Sequence, residues 1–398
     1  MERLLGTIAY GLRAPIINNG DDVANIACDT ILACQDNGHF KIENRDIFAL
    51  TESVVARAQG NYATVEDIKQ DINNKFGNNI ENLGVVFPIL SRNRFSLILR
   101  SCAMASKKVT VLFSYPSDEV GNHLVSLDMV DAAKVNPYSD VFNEKTWYET
   151  FGKQVHSFTG IDYIAFYKEI VEAEGAVFEA VFANDACEII KHTNTIILAD
   201  IHTRFRNYNK LSEIENVKVL RLDEILNAPI NNSGYNASYG VLGSNKASDD
   251  SVKLFPRVDD DLVLQIQNKV FEKTNKKIEV LIYGDGAFKD PVGKIWELAD
   301  PVVAVAYTEG LGGTPNEVKL KYLADNQFKD MSEEQQRTAI TKAIKEKDAH
   351  LSGTMIAEGT TPRRITDLLG SLCDLISGSG DKGTPFVYIK AYFDNYSD

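Results

Sequence analysis

The chain is poor in cysteine, tryptophan and basic residues, and it has no long apolar run. Each shortage excludes something. Its five cysteines (Cys28, Cys34, Cys102, Cys187 and Cys373) make no C-x-x-C pair, which argues against a disulfide frame or a zinc site and fits reduced thiols in a cytoplasmic protein. The six histidines form no H-x-x-x-H or H-E-x-x-H pattern. The most apolar stretches, such as residues 95–99, fall far short of the ~20 residues that span a bilayer. The N-terminal MERLLGTIAYGLRAP lacks the apolar segment of a signal peptide, so no membrane partner is expected. Forty-two Lys and Arg against 56 Asp and Glu leave a formal charge of −14. That balance excludes a general nucleic-acid binder, which needs basic surface to displace phosphate counterions. A nucleotide stays admissible, because a small anion needs only a local cluster of amides, cations or metal. There is no G-x-x-x-x-G-K-[ST] loop, no G-x-S-x-G elbow and no Cys–His pairing.

What is present describes an ordinary globular protein: 398 residues, 44% hydrophobic and 25% charged, a length that suits two domains. Residues 20–38 read as a helix opened by Asp21 and Asp22 and stopped by Gly38. Residues 47–55 read as a strand, and Thr64 with Asp67 opens a second helix over 64–76. Residues 109–113, 195–199 and 278–283 are short apolar runs of the kind buried on both faces of a sheet. Helical periodicity recurs at Leu262, Ile266 and Val270, over 331–348 and over 363–376, and a last strand is expected over 386–392. Strands alternating with helices indicate an α/β class, here mixed α/β and α+β. Residues 166–256 read as an α/β unit of their own. It ends in a long polar loop (231–250) of the kind that is either mobile or functional.

Four features hold potential chemistry. Asp162 follows a glycine in FTGIDY, and Asp285 lies between glycines at the end of an apolar strand in VLIYGDG. Carboxylates at strand ends suit Mg²⁺ or Mn²⁺ bridging nucleotide phosphates, although on spacing alone the capping of a turn is the commoner role, Asp-Gly being a common turn dipeptide. The loop GSGDKG (378–383) either cradles a phosphate or ends a helix. Arg92, Arg94 and Arg100 either hold a substrate anion or belong to a structural ion-pair network.

The order of these features resembles a known family. PIINNGDD (15–22), TESVVARAQG (51–60), TGID (159–162), VLIYGDG (280–286) and GSGDKGTPFVYIK (378–390) follow the motif order of the coenzyme F420-0:L-glutamate ligases, the F420 γ-glutamyl ligases. The resemblance implies a γ-glutamyl ligase-like core over 1–165 and 257–398, with 166–256 as an insertion. It implies an amide ligase that uses a nucleoside triphosphate, GTP, and a divalent metal, Mg²⁺ or Mn²⁺. Such an enzyme activates a carboxylate acceptor as an acyl phosphate and joins an amino acid such as L-glutamate to it. Carried over, Asp162 and Asp285 would hold metal. Pro15, Ile16, Ile17, Glu52, Ser53 and Arg57 would line the nucleotide site, and Gly378, Ser379, Gly380, Asp381 and Gly383 would close over it. A homodimer is also implied. The chain departs from the family pattern at Gly286, where the family has Thr, at Ser379, where it has an acidic residue, and at Arg57, where it has Lys. The alternative expectation is therefore a non-catalytic ligand-binding or structural descendant.

Overall fold

A computed structural model describes residues 4–257, 261–290, 294–296, 298–357, 363–377 and 381–397. The fold is α/β, and two sheets organise it.

The first sheet has five strands in the order Ile8–Leu12, Phe386–Lys390, Ile47–Thr51, Glu279–Tyr283, Ala304–Tyr307. Ile47–Thr51 and Glu279–Tyr283 run parallel, and the other pairings are antiparallel. Successive side chains of a strand point to opposite faces, so one strand can serve two cores. Phe48, Leu50, Val280, Ile282, Phe386 and Tyr388 face helices Val23–Asp36 and Asp261–Thr274. The alternate residues Ile47, Ala49, Leu281, Tyr283, Val387 and Ile389 face helix Ile365–Ser377 through Leu369 and Cys373. The result is a helix–sheet–helix sandwich in which each fully buried aliphatic or aromatic side chain contributes roughly 1.5–3 kcal/mol.

The second sheet has six strands, in the order Phe142–Asn143, Val177–Phe182, Lys108–Phe113, Leu83–Val86, Thr195–Leu198, Lys218–Arg221. All are parallel except the edge strand Phe142–Asn143. Numbered in chain order, the five parallel strands lie 3-2-1-4-5, a doubly wound arrangement whose switch point lies between Leu83–Val86 and Thr195–Leu198. Helices Val65–Phe76, Ser96–Ala105 and Tyr163–Ala173 cover one face, and Ile189 and Leu211 pack on the other. A small sheet of Asn245–Lys246, Ser251–Lys253 and Tyr62–Thr64 lies beside it.

This topology moves the unit boundary. The six-stranded sheet takes strands from both sides of residue 166, and the expected boundary falls inside helix Tyr163–Ala173, whose Tyr167 and Val171 share a core with Ile98 and Leu99. The second unit therefore begins near residue 62, not at 166. A short apolar run shows that a strand is buried without showing which strand it pairs with, so 109–113 carried no sign of its sheet.

Two local expectations also change. The strand expected over 47–55 ends at Thr51, which N-caps helix Glu52–Ala58. The cap, with Glu52 in the first turn, decides in favour of a helix that buries Val55 and Ala56. The polar loop at 231–250 is anchored: buried Asn236 donates to the carbonyls of Phe255 (3.2 Å) and Pro256 (2.7 Å), and Val241 and Leu242 join the core. The helix expected over 20–38 occupies Val23–Asp36, with the Asp22 carboxylate accepting from the Asn25 amide. Among the described residues, no helix is long and apolar enough to cross a membrane.

Candidate active site

Parallel pairing puts the carboxyl ends of Ile47–Thr51 and Glu279–Tyr283 side by side, so the residues that follow each strand meet. Glu52 follows the first and Asp285 follows the second after Gly284. A Cβ at Gly284 would collide with the Asp300 carboxylate, so this position requires glycine. Through that close approach Asp300 accepts the Asp285 amide at 2.7 Å. Gly286 donates its own amide to Asp374 at 2.9 Å. A Cβ at Gly286 would stand 3.0 Å from Ser371 Cα, which gives a packing reason for glycine where the family has threonine.

The cations opposite these carboxylates come from the second unit. Arg94 donates to Asp285 at 2.5 Å and to Asp300 at 2.6 Å. Lys253 reaches Glu52 at 3.3 Å and the Ser53 hydroxyl at 2.6 Å. Glu52 is buried, and its Oε2 has no hydrogen-bond partner. Burial pushes its carboxyl up to about 7, against the pull of Lys253. Burial likewise raises Asp374. The arrangement is a water-poor carboxylate cluster with two fixed cations, a setting suited to positioning anions and moving a proton.

The sequence motifs converge here, with one exception. The Arg57 guanidinium donates to the Ile17 carbonyl, joining the second motif to Pro15–Ile17. Gly20 donates to the Ala58 carbonyl at 2.8 Å, Ala14 to Gly383 at 3.3 Å and Thr51 to Pro385 at 3.1 Å. The first, second, fourth and fifth motifs thus meet at one edge of the first sheet. Ile17 is buried and Ile16 is exposed, while Glu52 and Ser53 lie at the cluster itself. Asp381 is exposed, and Gly383 has a positive φ of 63°. Gly378, Ser379 and Gly380 lie outside the described residues.

The third motif is the exception. Asp162 caps helix Tyr163–Ala173, accepting from the amides of Ile164 and Ala165 at 3.1 Å, and no described contact joins it to Asp285. The two aspartates have separate partners. Among the described residues, no group of three or more His, Cys, Asp or Glu side chains is placed to hold a metal ion. Asp285 and Asp300 are oxygen donors of the right chemistry, but the guanidinium of Arg94 already stands between them. A resident ion shared by Asp162 and Asp285 does not fit this arrangement.

Of the three arginines, Arg100 is structural, paired with Glu174 at 2.6 Å, and Arg94 serves the cluster. Asp300, Asp374 and Lys253 were not legible as site residues. Each stands alone in its local sequence, and only the fold brings them together. No curated protein gives a significant match to the chain. A family model described as F420-0:Gamma-glutamyl ligase matches residues 11–391, a span that contains the second sheet and all of the first but the start of strand Ile8–Leu12, and the chain accordingly belongs to that family.

Proposed function

We propose that the protein is a nucleoside triphosphate-dependent ligase of the γ-glutamyl type, joining an amino acid such as L-glutamate to a carboxylate acceptor. Family membership supports the reaction class. The observation that carries the site assignment is the meeting of Glu52, Asp285 and Asp300 with Arg94 and Lys253 where four family motifs converge. In the proposed reaction an acceptor carboxylate oxygen attacks the γ-phosphorus of GTP and GDP leaves. The amino acid's amine then attacks the acyl carbon of the acyl phosphate, and inorganic phosphate leaves with the bonding electron pair. A divalent cation, Mg²⁺ or Mn²⁺, enters as the counter-ion of the triphosphate and so as part of the substrate. Arg94 and Lys253 hold negative charge in place, which is most of what phosphoryl transfer asks of a protein. Glu52, raised toward neutral pH and with one oxygen unpartnered, accepts the proton that the amine sheds.

The test is GDP formation from GTP in the presence of Mg²⁺, a carboxylate acceptor and L-glutamate, together with calorimetry of nucleotide and Mn²⁺ on wild type and Asp285→Ala. Turnover that requires both acceptor and amino acid supports the proposal. Absence of nucleotide binding at millimolar concentration sinks it.

One observation favours a second reading, a ligand-binding descendant without turnover. Arg94 already neutralises two of the carboxylates. That reading expects small-molecule binding with no phosphate release under any substrate combination.

A further inference from the structure

The carboxyl edge of a doubly wound sheet is where such folds bind ligands, because the loops leaving neighbouring strands diverge there and open a crevice. In the second unit that edge is a cleft of about 200 Å³ between the units. The loop after Leu83–Val86 brings Arg92 and Asn93, the loop after Lys108–Phe113 brings Asn122, and the third motif brings Thr159, with Tyr163 directly after the motif. Trp296 of the first unit forms the far wall, tied down by its amide donating to the Val120 carbonyl at 2.5 Å.

Three facts give the cleft a chemistry. Arg92 is exposed and makes no ion pair with any described residue, whereas its neighbours Arg94 and Arg100 both do. In a chain of net charge −14, an uncommitted guanidinium facing a cleft is an anion receptor. Apart from Arg94, the remaining polar lining is the side-chain amides of Asn93 and Asn122, the hydroxyls of Ser91, Thr159 and Tyr163, and the imidazole of His156, which burial disfavours in its charged form, so no carboxylate opposes an anion there. Trp296 is 41% exposed, and Lys289 lies 5.5 Å from its ring centroid, so a flat apolar surface stands beside a second cation. Arg94 lines the same cleft while holding Asp285, so a bound molecule lies one side chain from the carboxylate cluster.

We infer that this cleft binds a small organic anion, its carboxylate or phosphate on Arg92 and its flat part against Trp296. The bound molecule is the acceptor substrate of the proposed ligase. Its identity as a substrate rests on that functional reading; the binding does not. The third motif then contributes through Thr159, beside Tyr163 that follows it, and not through Asp162.

The chain's two tryptophans supply the measurement. Trp147 is buried and stacked on Phe182 at 4.1 Å, so it stays constant, while Trp296 reports on the cleft. The full chain is titrated, without nucleotide, with sodium phosphate, benzoate and L-glutamate, and with sodium chloride as the ionic-strength control. The expected result is a saturable change in tryptophan emission at millimolar anion, absent with chloride. Binding weakens about tenfold or more in Arg92→Gln, as for a lost charge-assisted hydrogen bond, and is partly kept in Arg92→Lys. Whichever of phosphate and carboxylate binds tighter names the anionic group. Equal response to chloride, equal binding by Arg92→Gln, or a signal that survives Trp296→Phe overturns the inference. Saturable binding without any GTP turnover would overturn the ligase reading and leave the site standing.

Discussion

The carboxylates after strand Lys108–Phe113 of the second sheet and those at the strand ends of the first sheet are held in opposite ways. In the second sheet, the two that follow Lys108–Phe113 are satisfied by amides, whereas Asp223 is held by Arg204 and Arg221 of the same unit and Asp200 keeps one buried oxygen without a partner. Asp118 accepts from the amides of Leu90 (2.8 Å), Val120 (3.1 Å) and Asn122 (2.8 Å), and from the Asn122 side chain (2.8 Å). Glu119 accepts from the successive amides of Ile201, His202 and Thr203. In the first sheet, Glu52, Asp285 and Asp300 pair with Lys253 and Arg94, both delivered by the other unit, and Asp300 accepts one amide besides. An amide-bound carboxylate fixes a loop and has little left to offer. A carboxylate neutralised by a cation from the other unit can exchange that cation for substrate charge. The difference separates structure from function more sharply than the presence of aspartate does.

The largest effect expected from breaking this contrast is at Arg94. Arg94→Ala removes the guanidinium that joins Asp285 to Asp300, and taking the cation from a buried carboxylate such as Asp300 costs about 3–5 kcal/mol. Urea unfolding reads this directly. Adding Asp285→Asn should recover part of the loss, because one of the two carboxylate charges is gone. If Arg94→Ala is as stable as wild type, the cluster is not held together by that guanidinium.

Glu52→Gln comes next. It removes the proposed proton acceptor, and the turnover rate should fall about 10²–10⁴-fold. In wild type the rate should rise with pH through about 7 as Glu52 ionises, and the variant should lose that limb. Stability runs the other way. The raised carboxyl keeps its proton in the folded chain where the unfolded chain has lost it, so stability falls as pH climbs from near 4.5 to about 7. Glu52→Gln should flatten that fall and melt higher than wild type at pH 8. A variant that is both fully active and no more stable at pH 8 would remove Glu52 from the mechanism.

Much of the architecture was legible beforehand, and the reasons are local. The capping box of Thr64 and Asp67, the helix over Val23–Asp36 and the strand ending in Tyr283 are set by neighbours in sequence. The family motifs that carry Glu52, Ser53, Arg57 and Asp285 do meet at one edge of the first sheet. What stayed hidden is long-range. Arg94 and Asp300 are 206 residues apart, and Glu52 and Lys253 are 201 apart, so no spacing rule links them. The start of the second unit was hidden because apolar runs do not name their partners.

Asp118→Asn sharpens the other side of the comparison. An amide cannot accept all four hydrogen bonds that Asp118 now receives, so stability should fall by about 1–3 kcal/mol. Turnover per folded molecule should stay at the wild-type level. A collapse of turnover in a folded Asp118→Asn chain would mean that the second sheet's carboxylates also do chemistry.

The smallest effect, and the most discriminating, is at Asp162. Its carboxylate accepts the Ile164 and Ala165 amides at the start of a helix. Removing a cap of this kind costs about 1 kcal/mol, and serine, another good cap, restores most of it. Asp162→Ala should therefore lose a little stability, Asp162→Ser should lose almost none, and both should keep their turnover with Mg²⁺ and GTP. A metal ligand behaves differently, because serine supplies a cap without supplying a carboxylate. If Asp162→Ser folds normally and its turnover collapses, with activity partly regained at high Mn²⁺, then Asp162 holds an ion that its capping bonds disguise. The contrast between amide-bound and cation-bound carboxylates would then fail at the residue where it makes its clearest claim.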